Sequence, residues 1–409
     1  MPGRTQKVDP SAWRHDISTF VRKEIASVKK KRILSVVGAR PNFMKMAPIL
    51  REISRVSEFE SRLVHTGQHY DASMSRVFFQ DLNMPDPDVN LKVGSGSHAV
   101  QTAEVMKRFE EVCGTMKPDL VIVAGDVNST LACSLTAAKL QIPVAHIESG
   151  LRSFDRTMPE EINRIVTDSL SDFLFTTEES GNRNLKREGI ADDKIHFVGN
   201  TMIDSLVSCY RFIDQPASTE PFAALESAPY FLATIHRPAN VDEPAQLLNV
   251  LDILESAARL APLLFVSHPR TRERLQRLGR ADKLVELNSN GRKFKSGFIY
   301  LLPPLAYFDF MRLMSKSKAV LTDSGGIQEE TTFLGIPCLT LRANTERPVT
   351  VELGTNQLVG LDSQKISAYL KEAVQGRWKD AIKPPLWDGV AAQRAVHVLC
   401  DAYGLSSQN

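Results

Sequence analysis

The chain has 409 residues, too many for a single hydrophobic core and suited to two domains. Hydrophobic residues make up 43% and charged residues 24%, with a formal net charge of only +2. That balance describes an ordinary soluble protein and excludes a global basic field directed at nucleic acid. The five cysteines (Cys113, Cys133, Cys209, Cys338 and Cys400) lie far apart with no C-x-x-C. This disfavours a zinc site or a disulfide framework and predicts a reducing, cytoplasmic setting. No apolar run approaches the ~18 residues of a membrane span.

Residues 1–31 form a basic N-terminal extension running into Lys29-Lys30-Lys31-Arg32, without the apolar stretch of a secretory signal. An amphipathic pattern over 11–28 (Trp13, Ile17, Phe20, Val21, Ile25, Val28) is compatible with an anionic surface. Its short apolar face favours packing on its own domain or on a partner subunit. From there apolar runs alternate with helical patterns, the signature of parallel α/β units. The first half has predicted strands at 33–37, 62–65, 120–124, 144–147, 173–176 and 195–198, with helices over 43–56, 98–116, 129–140 and 160–170. The second half has strands at 230–235, 263–267, 298–302, 319–321 and 338–341, with helices over 246–260, 307–315 and 366–375. The zone 208–227 loses strand character and carries Pro216 and Pro221, which places the domain boundary there. The expected units are therefore 32–207, 208–385 and a C-terminal helical segment, 386–409, packing back on the first domain. Two doubly wound domains facing each other would bring their strand C-termini to a shared cleft.

Nearly all the unusual polar residues fall just after a strand. Gly38-Ala39-Arg40-Pro41 follows the first, with Pro41 pre-setting a helix start and Lys45 about one turn in. Two cations at a helix start, where the dipole disfavours positive charge, point to an anion. Asp126 and Glu148 each end a buried strand. Asp126 is also a reasonable helix cap, whereas Glu148 is a poor one and points to a ligand. Pro159-Glu160-Glu161 reads first as an acidic helix N-terminus. His236 and His268 follow strands of the second half, as structural residues or as cleft-facing proton handlers and phosphate donors. Thr322-Asp323-Ser324-Gly325-Gly326-Ile327-Gln328-Glu329-Glu330 combines a Ser-Gly-Gly turn with a helix start, a ready anion site. The plain alternative is a strand–helix junction capped by Ser324. A carboxylate one turn further in could accept bonds from sugar hydroxyls, so the pair suggests a nucleotide diphosphate sugar. Metal spacings, G-x-G-x-x-G after the first strand, a Walker lysine motif and G-x-S-x-G are all missing from the sequence. Acids and bases without a cofactor fit elimination, epimerisation or glycosyl transfer.

These blocks, with Gly199-Asn200-Thr201-Met202-Ile203-Asp204, His236-Arg237 and Thr345-Glu346-Arg347-Pro348, resemble the non-hydrolysing UDP-N-acetylglucosamine 2-epimerases from about Arg32 to Gly360. The resemblance implies an isomerase with two doubly wound Rossmann-like domains of the GT-B type, a homodimer that needs no cofactor or metal. It implies interconversion of UDP-N-acetylglucosamine and UDP-N-acetylmannosamine by anti elimination of UDP, a 2-acetamidoglucal intermediate and re-addition, feeding cell-surface polysaccharide synthesis. Asp126, Glu148 and Glu160 are then the acid/base candidates, and His236 helps stabilise departing UDP. Arg40, Lys45, His236, Ser324, Gly325 and Gly326 would bind near the diphosphate and Glu330 at the ribose, with Phe310 and Arg347 as further substrate contacts. Gln68-His69-Tyr70-Asp71-Ala72 and Pro238 depart from arginine-bearing patterns of many bacterial members, which argues against their activation by a second UDP-N-acetylglucosamine. Asn42 replaces a common Glu, and Leu305 replaces a Gln near the uracil pocket of some relatives. Hydrolysing epimerases, epimerases for a modified UDP-sugar such as a 2,3-diacetamido uronic acid, and GT-B glycosyltransferases are the competing readings.

Overall fold

A strand such as Leu120–Ala124, buried at every residue, has no side to give to water and must be covered on both faces. The computed structural model describes residues 30–67, 79, 81–213, 229–267, 269–278, 284–286 and 294–405. The extension up to residue 29, the departure at 68–72 and His268 lie outside the described residues. The first half runs β1 (Lys31–Val37), α1 (Arg40–Ile53), β2 (Phe59–His65), β3 (Val89–Asn90), α2 (His98–Met116), β4 (Leu120–Ala124), α3 (Asn128–Lys139) and β5 (Val144–Ser149). It continues through α4 (Pro159–Leu170), β6 (Phe173–Thr176), α5 (Glu179–Arg187), β7 (Ile195–Phe197) and α6 (Thr201–Ile213). The second half runs β8 (Phe231–Thr234), α7 (Pro238–Val241), α8 (Pro244–Ala258), β9 (Leu263–Val266), α9 (Pro269–Arg277), β10 (Leu284–Glu286) and β11 (Ile299–Leu302). Then come α10 (Tyr307–Lys316), β12 (Ala319–Thr322), α11 (Gly325–Leu334), β13 (Cys338–Thr340), α12 (Pro348–Glu352), β14 (Asn356–Leu358), α13 (Ser363–Val374) and α14 (Ala391–Ala402).

Among the described residues there are two seven-stranded sheets, ordered β3-β2-β1-β4-β5-β6-β7 and β10-β11-β9-β8-β12-β13-β14. Every pairing within them is parallel. The strand order reverses between β1 and β4 in one sheet and between β8 and β12 in the other. Crevices open at the carboxyl ends of strands at such switch points. The two Rossmann-like halves are tied by α6, which packs on α1 and α14 as well as on α10 and α11. Met44, Ile203, Leu206 and Met311 accordingly share one buried cluster. Asp204 on α6 accepts the first amides of α14, Ala391 N at 3.1 Å and Ala392 N at 2.7 Å.

Differences from the sequence expectation have local causes. Ser208–Ile213, where the zone without strand character begins, is helical, because the apolar face that buries Ile203, Leu206 and Cys209 carries α6 through it. β3, β10 and β14 span two or three residues, too few to display an alternation.

Candidate active site

At the first switch point Asp126 follows β4 and Glu148 is the penultimate residue of β5. Glu148 adopts a φ of +69°, where the β5–β6 register shifts between Ile147 and Ser149. A non-glycine residue held there costs about 1–3 kcal/mol and persists only when its surroundings over-determine it. They do: Lys45 Nζ lies 2.5 Å from Glu148 Oε2, and Arg347 Nη2 donates to Oε1 at 2.8 Å. Lys45 reaches across because Gly125, at φ +67°, has no Cβ; one built there would stand 2.8 Å from the Lys45 ammonium. Asn42, the first-turn replacement for a common Glu, donates to Ala124 O at 2.6 Å and accepts from Ala39 N at 3.1 Å. It thereby locks the first βα turn to β4.

Helix α4 supplies the floor. Arg164 pairs with Asp126 and, at 2.7 Å, with Glu161. Asn163 donates to Asp126 O at 2.8 Å. Glu161 accepts from Ser153 N at 3.0 Å and Phe154 N at 2.8 Å, which hangs the preceding loop on the helix. Burial pushes the Asp126 carboxyl up, but the charges of Arg164, Lys45 and Arg347 outweigh it and hold it below the usual carboxylate range. With its side chain 22% exposed, Asp126 is an ionised carboxylate open to the cleft, whereas the Glu148 side chain is 3% exposed. Glu160 is half-buried in the first turn of α4.

The second switch point is organised by Asp323, which follows β12 and is fully buried. It accepts from His236 N at 3.1 Å, Arg237 N at 2.9 Å and Asn240 Nδ2 at 3.0 Å, and lies 3.3 Å from His236 Nδ1. The His236 ring, 50% exposed, is thus held at its inner nitrogen and free to face the cleft at the other. Ser324 is the residue before α11, and its hydroxyl makes no cap bond to the helix. The first-turn amides of Gly325, Gly326 and Ile327 have no intrahelical acceptor, which is the anion-binding end of a helix. Gly325 is there for space, since a Cβ would meet Arg347 Nη1 at 2.4 Å. One turn on, Glu330 accepts from Tyr307 Oη at 3.0 Å. Burial, with Glu329 nearby, lifts its carboxyl to about 8. Phe310 is partly buried on α10 near Tyr307.

Arg347 joins the halves. Its guanidinium meets Glu148 of the first half, and Glu346 (2.7 Å) and Glu329 (2.9 Å) of the second. Glu329 also accepts from Asn200 at 3.0 Å. Burial holds Glu329 up at about 7 despite Arg347. At Glu346 burial is overcome by Arg347, Arg342 and Arg237, which hold its carboxyl far below the usual range.

Of the residues singled out from sequence, Lys45, Glu148 and Arg347 form one ion-paired group with Asp126 close by, and His268 lies outside the described residues. Arg40 begins α1, and Lys45, Asp126, Glu148 and Glu160 line one side. On the other, His236 follows β8 and Ser324, Gly325 and Gly326 form the start of α11, with Glu330 buried against Tyr307 one turn on, Phe310 partly buried on α10 and Arg347 between the halves. The sequence reading assigned no role to Asp323, Arg164, Glu329 or Glu346. Asp323 carried a usable signal, a carboxylate ending a buried strand as Asp126 does. Arg164 carried another, the i, i+3 spacing from Glu161. Among the described residues no group of three or more His, Cys, Asp or Glu is placed to hold a metal ion.

Facing Rossmann-like halves with a helix-end anion site and strand-end carboxylates define a nucleotide-sugar enzyme fold. The family model described as UDP-N-acetylglucosamine 2-epimerase matches residues 51–400, and the chain belongs to that family. A UDP-N-acetylglucosamine 2-epimerase of Methanocaldococcus jannaschii is 39% identical, over 89% of this chain and 97% of that protein. A UDP-2,3-diacetamido-2,3-dideoxy-D-glucuronate 2-epimerase of Pseudomonas aeruginosa is 41% identical, over 80% of this chain and 88% of that protein. The crystal structure of the Methanocaldococcus jannaschii enzyme in complex with UDP-GlcNAc and UDP superposes with a TM-score of 0.80, covering 90% of this chain and 99% of that one.

Proposed function

We propose that this chain interconverts UDP-N-acetylglucosamine and UDP-N-acetylmannosamine. The observation that carries the reading is the facing of Asp126, Glu148 and Glu160 at one switch point with His236 and the α11 N-terminus at the other. A base removes the C2 proton, the C2–H electron pair forms the C1–C2 double bond, and the C1–O pair leaves with UDP. UDP then adds back to C1 while C2 is reprotonated on the opposite face. Asp126, ionised and open to the cleft, is suited to take a proton, and Glu160 to act beside it. Glu148 has both oxygens engaged and acts once Lys45 or Arg347 releases one. The α11 amides, Ser324 and His236 meet the charge of departing UDP with donors already oriented. Glu330 reads the ribose, and Arg40, Lys45, Phe310 and Arg347 complete the substrate contacts. A homodimer in the cytoplasm, supplying polysaccharide synthesis, completes the proposal; among the described residues no helix is long and apolar enough to cross a membrane.

The 41% identity to an epimerase of a diacetamido glucuronate favours one second reading, the same C2 chemistry on a UDP-linked uronate. Incubation with UDP-N-acetylglucosamine in D2O, followed by NMR, tests both. Deuterium at C2 together with UDP-N-acetylmannosamine is the expected result. Free N-acetylmannosamine would mean hydrolysis instead. Inertness toward this substrate, with turnover of the uronate, would replace the first reading by the second.

A further inference from the structure

Helix α4 buries a polar stripe. Glu161, Arg164 and Asp168 recur at i, i+3 and i+7 on one face, and all three are almost wholly inaccessible. A helix face in the interior is ordinarily apolar, so three ionisable groups there need a purpose. Glu161 and Arg164 hold the loop before α4 and Asp126. Asp168, one turn further on, touches neither cleft nor solvent, yet reaches the backbone on both sides of the acid/base candidates. Its Oδ1 lies 2.7 Å from His146 Nδ1, and His146 Nε2 donates to the carbonyl of Gly125 at 2.8 Å. Its Oδ2 accepts from the amide of Gly150 at 3.0 Å. Gly125 immediately precedes Asp126, and Gly150 lies two residues after Glu148. Gly125 and Gly150 take positive φ (+67° and +79°) freely as glycines, whereas Glu148 at +69° is a non-glycine in backbone that relaxes unless it is held. Arg152 Nη2, 2.7 Å from Asp168 and 2.6 Å from Glu188, keeps the buried carboxylate compensated.

We infer that Asp168 is a positioning residue for the reaction: acting through His146 on Gly125 and directly on Gly150, it sets the separation of Asp126 and Glu148. One carboxylate on α4 thus coordinates two strand ends, whereas the anion site on α11 has no bond to it. The inference rests on the epimerase reading for its kinetic consequence but not for its geometry.

The test compares Asp168→Ala, Asp168→Asn and His146→Gln with the wild-type enzyme. For Asp168→Ala the expected result is UDP affinity within about threefold of wild type by calorimetry. Turnover and C2 deuterium incorporation should fall by roughly a hundredfold or more. Asp168→Asn keeps an acceptor for Gly150, and His146→Gln keeps a donor for Gly125, so both should retain more turnover and remain testable if the alanine variant does not fold. In an Asp126→Asn background the Asp168→Asn change should cost less than it does in the wild type, because only its route through Gly150 to Glu148 remains. Parallel losses of UDP affinity and turnover, or full additivity with Asp126→Asn, would overturn the inference in favour of a merely structural role. If the wild-type enzyme epimerises neither nucleotide sugar, the functional reading fails alone. A crystal structure of Asp168→Ala then decides the brace: the separation of Asp126 and Glu148 must change, and an unchanged separation would refute the role.

Discussion

At Glu148 two cations divide one carboxylate that is 3% exposed, whereas Asp126 pairs with Arg164 and stays 22% exposed. Replacing the carboxyl by an amide at either position removes proton-transfer capacity while keeping shape. Asp126→Asn and Glu148→Gln should therefore lower turnover by at least about a hundredfold with little change in UDP affinity. Glu330→Ala should do the opposite, weakening UDP in calorimetry more than it slows bound substrate. Equal loss of UDP affinity in all three would end this division of labour. Glu330 also makes a pH prediction. Its folded-state carboxyl, lifted by burial to about 8, binds a proton that the unfolded chain releases near 4.5. The folded state thus holds more protons between those values, and stability falls as pH rises across them. Glu330→Gln should flatten that slope and raise the thermal midpoint by a few degrees at pH 8.5 relative to wild type. A variant with an unchanged slope from pH 5 to 8.5 would show that Glu330 does not carry it.

Among the elements, α11 does two jobs with its first residues: it offers free amides to an anion and leaves space for Arg347. The second job makes Gly325 restrictive even though its helical φ suits any residue. In Gly325→Ala the new methyl would meet Arg347 Nη1 at 2.4 Å and Glu346 Oε1 at 2.9 Å, and neither group is free to move. Displacing them shifts the helix end, and UDP affinity should drop about tenfold or more, equivalent to at least 1.4 kcal/mol. Titration calorimetry checks it; an unchanged affinity would mean that the helix end does not bind the diphosphate. Helix α4 works differently. Its Asn163, Arg164 and Asp168 fix two strand ends at once.

On the scale of the molecule, the halves meet through Arg347–Glu148, Asn200–Glu329 and the apolar seam of α6. Removing one partner of a buried ion cluster strands the rest, a cost of about 3–5 kcal/mol. Arg347→Ala leaves three carboxylates competing for fewer cations. It should lower denaturant stability by that order and enlarge the radius of gyration in small-angle scattering as the cleft relaxes. Arg347→Lys should not restore it, because a single ammonium lacks the planar fork that reaches three acceptors. Full recovery with lysine would reduce the cluster to simple charge neutralisation.

Much of this protein is legible locally. Buried apolar runs specify parallel strands, Pro41 starts α1, and Asp126, Glu148 and His236 end strands where a doubly wound sheet opens its crevice. Those features depend on side-chain period and backbone preference over a few residues, which neighbours in sequence decide. The state of each group is another matter. Lys45, read from sequence as a cation near enough to reach an anion, grips Glu148, whose second cation lies 199 residues away. Asp168 and His146, 22 residues apart, acquire meaning only when packing brings both against Gly125 and Gly150. A buried carboxylate is ionised, neutral or immobilised according to what stands within a few ångströms of it, and only the tertiary fold sets that.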